Sequence, residues 1–205
     1  MKKRKKSFSL IEIVVAIAVF AIVATISLPK SQISQLDLAT DRLVMYLNYI
    51  RYVAFIDEKY HINDPEWEKK LWSLKFQRCS KEEDGLYFVV FSDESGGTAA
   101  FKKLETMKDP LNNKYLYSGY DCIPSHNESK NILLSKEYGI KEVQISCNNT
   151  STIGQIAFGN DGSVYSSLGE NIHKIKEPCL IKIIDIKGES REISIVPNTG
   201  YIHKL

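Results

Sequence analysis

The chain has 205 residues, with 27 Lys+Arg against 25 Asp+Glu and 4 His, a formal charge of +2. That length is room for one ordinary domain, or one domain with an appended segment, and 43% hydrophobic with 25% charged residues excludes wholesale disorder. The near-neutral balance gives no support to a surface coated in positive charge for nucleic acid, but the average hides an uneven start: Lys2, Lys3, Arg4, Lys5 and Lys6 crowd the first six positions, and after Glu12 no acidic residue follows until Asp37.

Positions 8–28 are 21 residues with the single charge Glu12. As a helix this stretch would be roughly 30 Å long, matching a bilayer's hydrocarbon core. The basic run before it predicts a cytoplasmic N-terminus with the rest of the chain across the membrane. A secretory signal is one plain reading, but its apolar core spans only about 7–15 residues. The Ala16-Ile17-Ala18 triplet lies inside the apolar run, and Pro29 follows directly after it. A simple membrane anchor is another. Neither accounts for Glu12, because a carboxylate in an apolar span costs about 2–3 kcal/mol or more and is usually paired. No basic side chain within the span supplies the partner.

Lys5-Lys6-Ser7-Phe8-Ser9-Leu10-Ile11-Glu12 resembles the class III signal of type IV prepilins and type II secretion pseudopilins. The resemblance implies that the basic leader is cut between Ser7 and Phe8, and that the new amine of Phe8 is methylated. It also implies that Glu12, the fifth mature residue, serves assembly. Pro29 falls where pilins commonly carry a helix-kinking proline. One departure is plain: the residue before the cut is nearly always Gly in that family, and here it is Ser7. Cleavage would create an α-amino group, the missing counter-charge for Glu12. In the family a new subunit's amine is thought to meet a neighbour's Glu, which sets register because an unpaired carboxylate is penalised in a low-dielectric medium. The implied partners are a prepilin peptidase/N-methyltransferase, other pilins or pseudopilins, an inner-membrane assembly platform and membrane lipid.

Beyond Pro29 the period remains helical. Leu36, Leu43, Leu47, Ile50 and Ala54 form one apolar stripe, with Asp37, Asp41, Arg42, Asn48 and Arg51 off it. The stripe predicts core packing by a helix running from residue 8 to about 56, weakened at Pro29. Residues 57–70 are charged and contain the turn signal Asn63-Asp64-Pro65. The period then changes to that of strands, expected over 71–79, 86–92, 141–147, 154–158, 163–166, 180–186, 192–196 and 199–204. Asn160-Asp161-Gly162 and Lys187-Gly188-Glu189-Ser190 read as hairpin turns. Residues 95–98 and 108–125 read as loops. The expected fold class is α+β: a long N-terminal helix, membrane-spanning in its first half, packed on an antiparallel sheet head. The expected parts are the leader 1–7, the transmembrane and assembly helix 8–28, its amphipathic continuation 29–57 and a periplasmic head 58–205. Ile156-Ala157-Phe158-Gly159-Asn160-Asp161-Gly162 and Ile193–Gly200 with its Thr199-Gly200 are similar to minor pseudopilins of the H type and related minor pilins, which end in a strand pair.

Cys79, Cys122, Cys147 and Cys179 fall on the expected extracytoplasmic side, where an even number favours disulfides. Four cysteines allow three connectivities. Sequential pairing, Cys79–Cys122 and Cys147–Cys179, suits neighbouring strands. Gaps of 43, 25 and 32 lack the close ligand pairs of a zinc site. His61, His126, His173 and His203 are scattered outside any zinc pattern, and no nucleophile elbow or phosphate-binding loop occurs. Asp161 and Asp93-Glu94 read as turn and solvent carboxylates rather than calcium ligands, and Trp67 and Trp72 as core packing. The expected role is structural, without cofactor, metal or catalytic site. The alternative is a DNA-uptake minor pilin that binds DNA. Related DNA binders carry Gly-Arg-x-Arg near the end, whereas Gly200-Tyr201-Ile202-His203-Lys204 keeps one permanent charge. An anchored periplasmic enzyme finds no catalytic constellation here.

Overall fold

The computed structural model describes residues 9–27, 34–57, 59, 61–64, 67–80, 85–92, 94, 101–168 and 173–205. The chain divides into two compact units, Met1–Ile33 and Ser34–Leu205. In the first, Leu10–Ser27 forms helix α1, an apolar run without proline or glycine. Its 18 residues span about 27 Å at 1.5 Å per residue. Among the described residues no helix is long and apolar enough to cross a membrane. The span expected over 8–28 extends beyond α1 at both ends, and Phe8 and Leu28 lie outside the described residues.

In the second unit, helix α2 covers Gln35–Ile56. Ser34 caps it, its hydroxyl accepting from the Asp37 N–H at 3.0 Å, which satisfies one of the free donors of the first turn. The buried face contains Leu36, Leu43, Leu47, Ile50 and Ala54 of the expected stripe, widened by Ala39, Thr40 and Tyr46.

Among the described residues eight strands follow: β1 (Trp72–Arg78), β2 (Leu86–Phe91), β3 (Ile140–Ile145), β4 (Gln155–Phe158), β5 (Val164–Tyr165), β6 (Cys179–Asp185), β7 (Ser190–Ile195) and β8 (Ile202–Lys204). All pairings are antiparallel. The head is not one sheet but two four-stranded sheets, ordered β2-β1-β4-β5 and β3-β6-β7-β8, and α2 lies against both. They meet beside a short helix that the period does not reveal, α3 (Leu134–Tyr138). The Ser135 hydroxyl accepts from the Leu86 N–H of β2 at 2.8 Å and donates to the Ile140 carbonyl of β3 at 2.7 Å. One side chain thus satisfies a main-chain group on each sheet, where ladder bonds between them are missing.

The core under α2 is aromatic and aliphatic. Tyr46 packs on Phe88 at 5.4 Å between ring centres, and Phe88 on Phe76 at 6.4 Å. The expected loop 108–125 is tied down by bridges pairing Lys108 with Tyr115 and Tyr115 with Glu128. Disulfides join Cys79 to Cys122 and Cys147 to Cys179, with Cα separations of 5.6 and 5.3 Å.

Candidate assembly site

Ser9 stands at the N-cap of α1 and Glu12 at its third position. The Ser9 N–H donates to Glu12 Oε2 at 2.9 Å, and the Glu12 N–H donates to the Ser9 carbonyl at 3.0 Å. This is the carboxylate half of a capping box. The helix dipole favours a negative charge at this end, so the one charge of the apolar run sits where a helix best tolerates it. The rest of α1 is apolar all round. Leu10, Ile11, Ile13, Val15, Val19 and Phe20 are all exposed and fall on every side of the helix. A helix apolar on all faces belongs to the interior of an assembly or a membrane. The expected cleavage residues Ser7 and Phe8, the orienting Lys2, Lys3, Arg4, Lys5 and Lys6, and Pro29 lie outside the described residues.

The two C-terminal segments singled out in the sequence meet in space. In the turn between β4 and β5, Asp161 accepts from the Ser163 N–H at 2.8 Å and the Ser163 hydroxyl at 2.6 Å. Burial alone would raise the Asp161 carboxyl; the Ser163 hydroxyl and N–H, with the Lys174 charge, hold it below the usual range. Asp161 is thus a turn carboxylate. Gly162 has a φ of +82°, and a Cβ on it would stand 2.9 Å from the Asn198 carbonyl oxygen. Gly200, two residues further on, leaves room for Arg51 and Phe158, and Arg51 Nε donates to the Thr199 carbonyl at 2.8 Å.

Two ion pairs fasten the end of the chain to α2, Arg191 to Asp37 at 2.7 Å and Lys204 to Asp41 at 2.5 Å. The Asp37 carboxyl is held below the usual range, first by the Arg191 hydrogen bond and then by Ser34. The lone permanent charge of the 200–204 segment is therefore engaged within the molecule.

The head holds two polar clusters with no signal in the period. Asp109 is 1% exposed and accepts from the Tyr46 hydroxyl at 3.0 Å, the Ser129 hydroxyl at 2.5 Å, the Asn131 amide at 2.9 Å and the Leu111 N–H at 2.9 Å. Burial pushes the Tyr46 phenol far up, with the Asp109 charge adding to it. Where α2 ends, Trp72 Nε1 donates to Asp57 at 2.6 Å, and Lys59 bridges Asp57 at 2.8 Å and Glu94 at 2.5 Å. Trp72 thus packs at the junction as expected, with its polar edge satisfied. Glu94 is engaged by Lys59, and Asp93 lies outside the described residues. Among the described residues no group of three His, Cys, Asp or Glu side chains is placed to hold a metal ion.

Comparison with known proteins finds one family model, described as the prokaryotic N-terminal methylation motif, over residues 2–28. It is consistent with the type IV prepilin and pseudopilin family. An N-terminal helix followed by a second helix and antiparallel sheets makes the α+β fold pilin-like. No curated protein and no solved structure matches the chain significantly.

Proposed function

We propose that the chain is a minor pseudopilin- or pilin-type structural subunit of a type II secretion or type IV pilus-type filament. The observation that carries this reading is the N-terminal methylation motif over 2–28, with Glu12 as the one charge of an apolar helix. On this reading the basic leader 1–7 orients the chain in the inner membrane with its N-terminus cytoplasmic. A prepilin peptidase cuts at Ser7–Phe8 and methylates the Phe8 amine. Segment 8–28 holds the subunit in the bilayer until the assembly platform extracts it, with 29–57 as the continuation of the helix and 58–205 as the periplasmic head. The Glu12 carboxylate then meets the amine of a neighbouring subunit. The local Ser9 N–H bond occupies one carboxylate oxygen, leaving the other for that partner. The role is mechanical, with no catalytic step and no cofactor.

Direct DNA binding in a DNA-uptake apparatus is the second reading. The C-terminus supports it less, since Lys204 is paired with Asp41 and phosphate contacts require free basic side chains. Retention of the protein on DNA at low salt, lost as salt rises, would favour it.

The proposed assembly role is tested by Glu12→Ala. The variant is expected to be cleaved normally yet to stay out of the filament, measured by comparing processed subunit in membrane and sheared-filament fractions. Normal incorporation would defeat the ion-pair account.

A further inference from the structure

A groove of about 300 Å³ lies beside the end of β1, lined by Lys75, Gln77, Arg78, Tyr120, Thr152 and Ile153 among others. It exists because β1 outruns its neighbour. Pairing with β4 ends at Lys75 opposite Gln155, one more bond runs from the Phe76 N–H to the Gly154 carbonyl, and β1 continues to Arg78. The chain at 151–153 turns aside there and leaves the space open.

The side chains around it are incompletely satisfied. Lys59, Lys70 and Lys103, with side chains 14, 24 and 34% exposed, each meet a carboxylate within 2.8 Å. Lys75 is half-buried and has no ion pair among the described residues, and burial alone pulls its amine below the usual lysine range. For Lys59 the same burial is outweighed by Asp57 and Glu94. Arg78 is exposed and likewise has no ion pair among the described residues. On the same face of β1 and β4, the Ser73 hydroxyl and the Gln155 amide nitrogen are buried without a hydrogen-bond partner, Gln155 directly opposite Lys75. Ser73 and Gln155 lie next along the sheet and do not line the groove, but a half-buried cation without a counter-charge is costly, so Lys75 in its wall favours an anionic acceptor there. Tyr120, 66% exposed, and Ile153 supply an apolar wall, which suits a body larger than a bare ion.

We propose that this groove binds a small organic anion, a carboxylate or phosphate on a flat apolar body, with its charge between Lys75 and Arg78 and its body against Tyr120 and Ile153.

The test uses the full chain in detergent micelles, labelled with an amine-reactive reagent at mildly alkaline pH and read peptide by peptide by mass spectrometry. Lys75 is expected to label ahead of the exposed Lys187. Phenyl phosphate or phthalate at ten times its half-saturating concentration is expected to slow Lys75 labelling about tenfold while leaving Lys187 unchanged. Arg78→Gln, a surface change, is expected to abolish that protection with both disulfides and the thermal midpoint retained. Three results would overturn the proposal: no protection by either probe, protection by inorganic phosphate equal to that by phenyl phosphate, or protection by a glutamate-rich peptide alone. The second would reduce the groove to a bare-anion site. The third would make it a docking surface for protein.

Discussion

Asp109 is the most demanding single residue in the head. Its carboxylate is buried without an ion pair among the described residues, held by three side-chain donors and a main-chain N–H. Asp109→Ala strands the Tyr46, Ser129 and Asn131 donors in the core and is expected to lower stability by about 3 kcal/mol, against about 1 kcal/mol for Tyr46→Phe, measured by denaturant unfolding. Glu128 contributes to the acid dependence together with Asp37, Asp57 and Asp161, whose carboxyls are also lowered. Burial alone would raise the Glu128 carboxyl, but Lys103 at 2.6 Å and the Ser125 N–H at 2.7 Å hold it below its ordinary value of 4.5. A carboxyl lowered by folding stabilises above its unfolded value, and that contribution is lost as pH falls through the folded value. The unfolding midpoint is therefore expected to drop below pH 4.5, and Glu128→Gln to flatten that drop. An unchanged acid profile in the variant would assign the drop to other carboxylates. These residues were not legible in the sequence. Asp109-Pro110-Leu111-Asn112 reads as a surface turn, and what makes it core is three partners lying 20, 22 and 63 residues away.

At the scale of elements, local period carried most of the information. Each of the eight expected strands has a counterpart whose ends lie within three residues of those expected, and α2 ends at Ile56 where the charged stretch begins. Ala39 and Tyr46 fall outside the narrow apolar stripe; each lies three residues beyond a stripe leucine and widens the buried face. α3 escaped because five residues are too few for a helical period. The division into two sheets escaped because it depends on which strands pair across long separations, as when β1 meets β4, and on Ser135 sealing the seam. Two substitutions probe these elements by thermal unfolding. Ser34→Ala removes the α2 cap and is expected to cost about 1 kcal/mol. Gly162→Ala combines a positive φ with a Cβ 2.9 Å from the Asn198 carbonyl and is expected to cost about 2 kcal/mol or more. A neutral Gly162→Ala would mean that the turn and the C-terminal segment are not packed together as described.

At the scale of the molecule, one disulfide fastens a segment outside both sheets, and the other locks a strand pair already within one. Cys79–Cys122 ties the end of β1 to the 108–129 segment, and Cys147–Cys179 ties the chain after β3 to the start of β6. Closing loops of 43 and 32 residues stabilises by roughly 4 kcal/mol each in the chain-entropy model. Reduction is thus expected to lower the thermal midpoint of the head sharply. The formal charge of +2 also divides by part. Without residues 1–7 the chain counts 22 basic against 25 acidic residues, a formal −3 before the new amine, so the positive balance belongs to the leader alone. Everything proposed for the first unit depends on that leader being removed. The most direct test is intact-mass and N-terminal peptide mass spectrometry of the membrane-extracted protein made alongside its processing peptidase. The account predicts a chain beginning at Phe8 with one added methyl group. A chain still beginning at Met1, or one cut near Ser27, would contradict it.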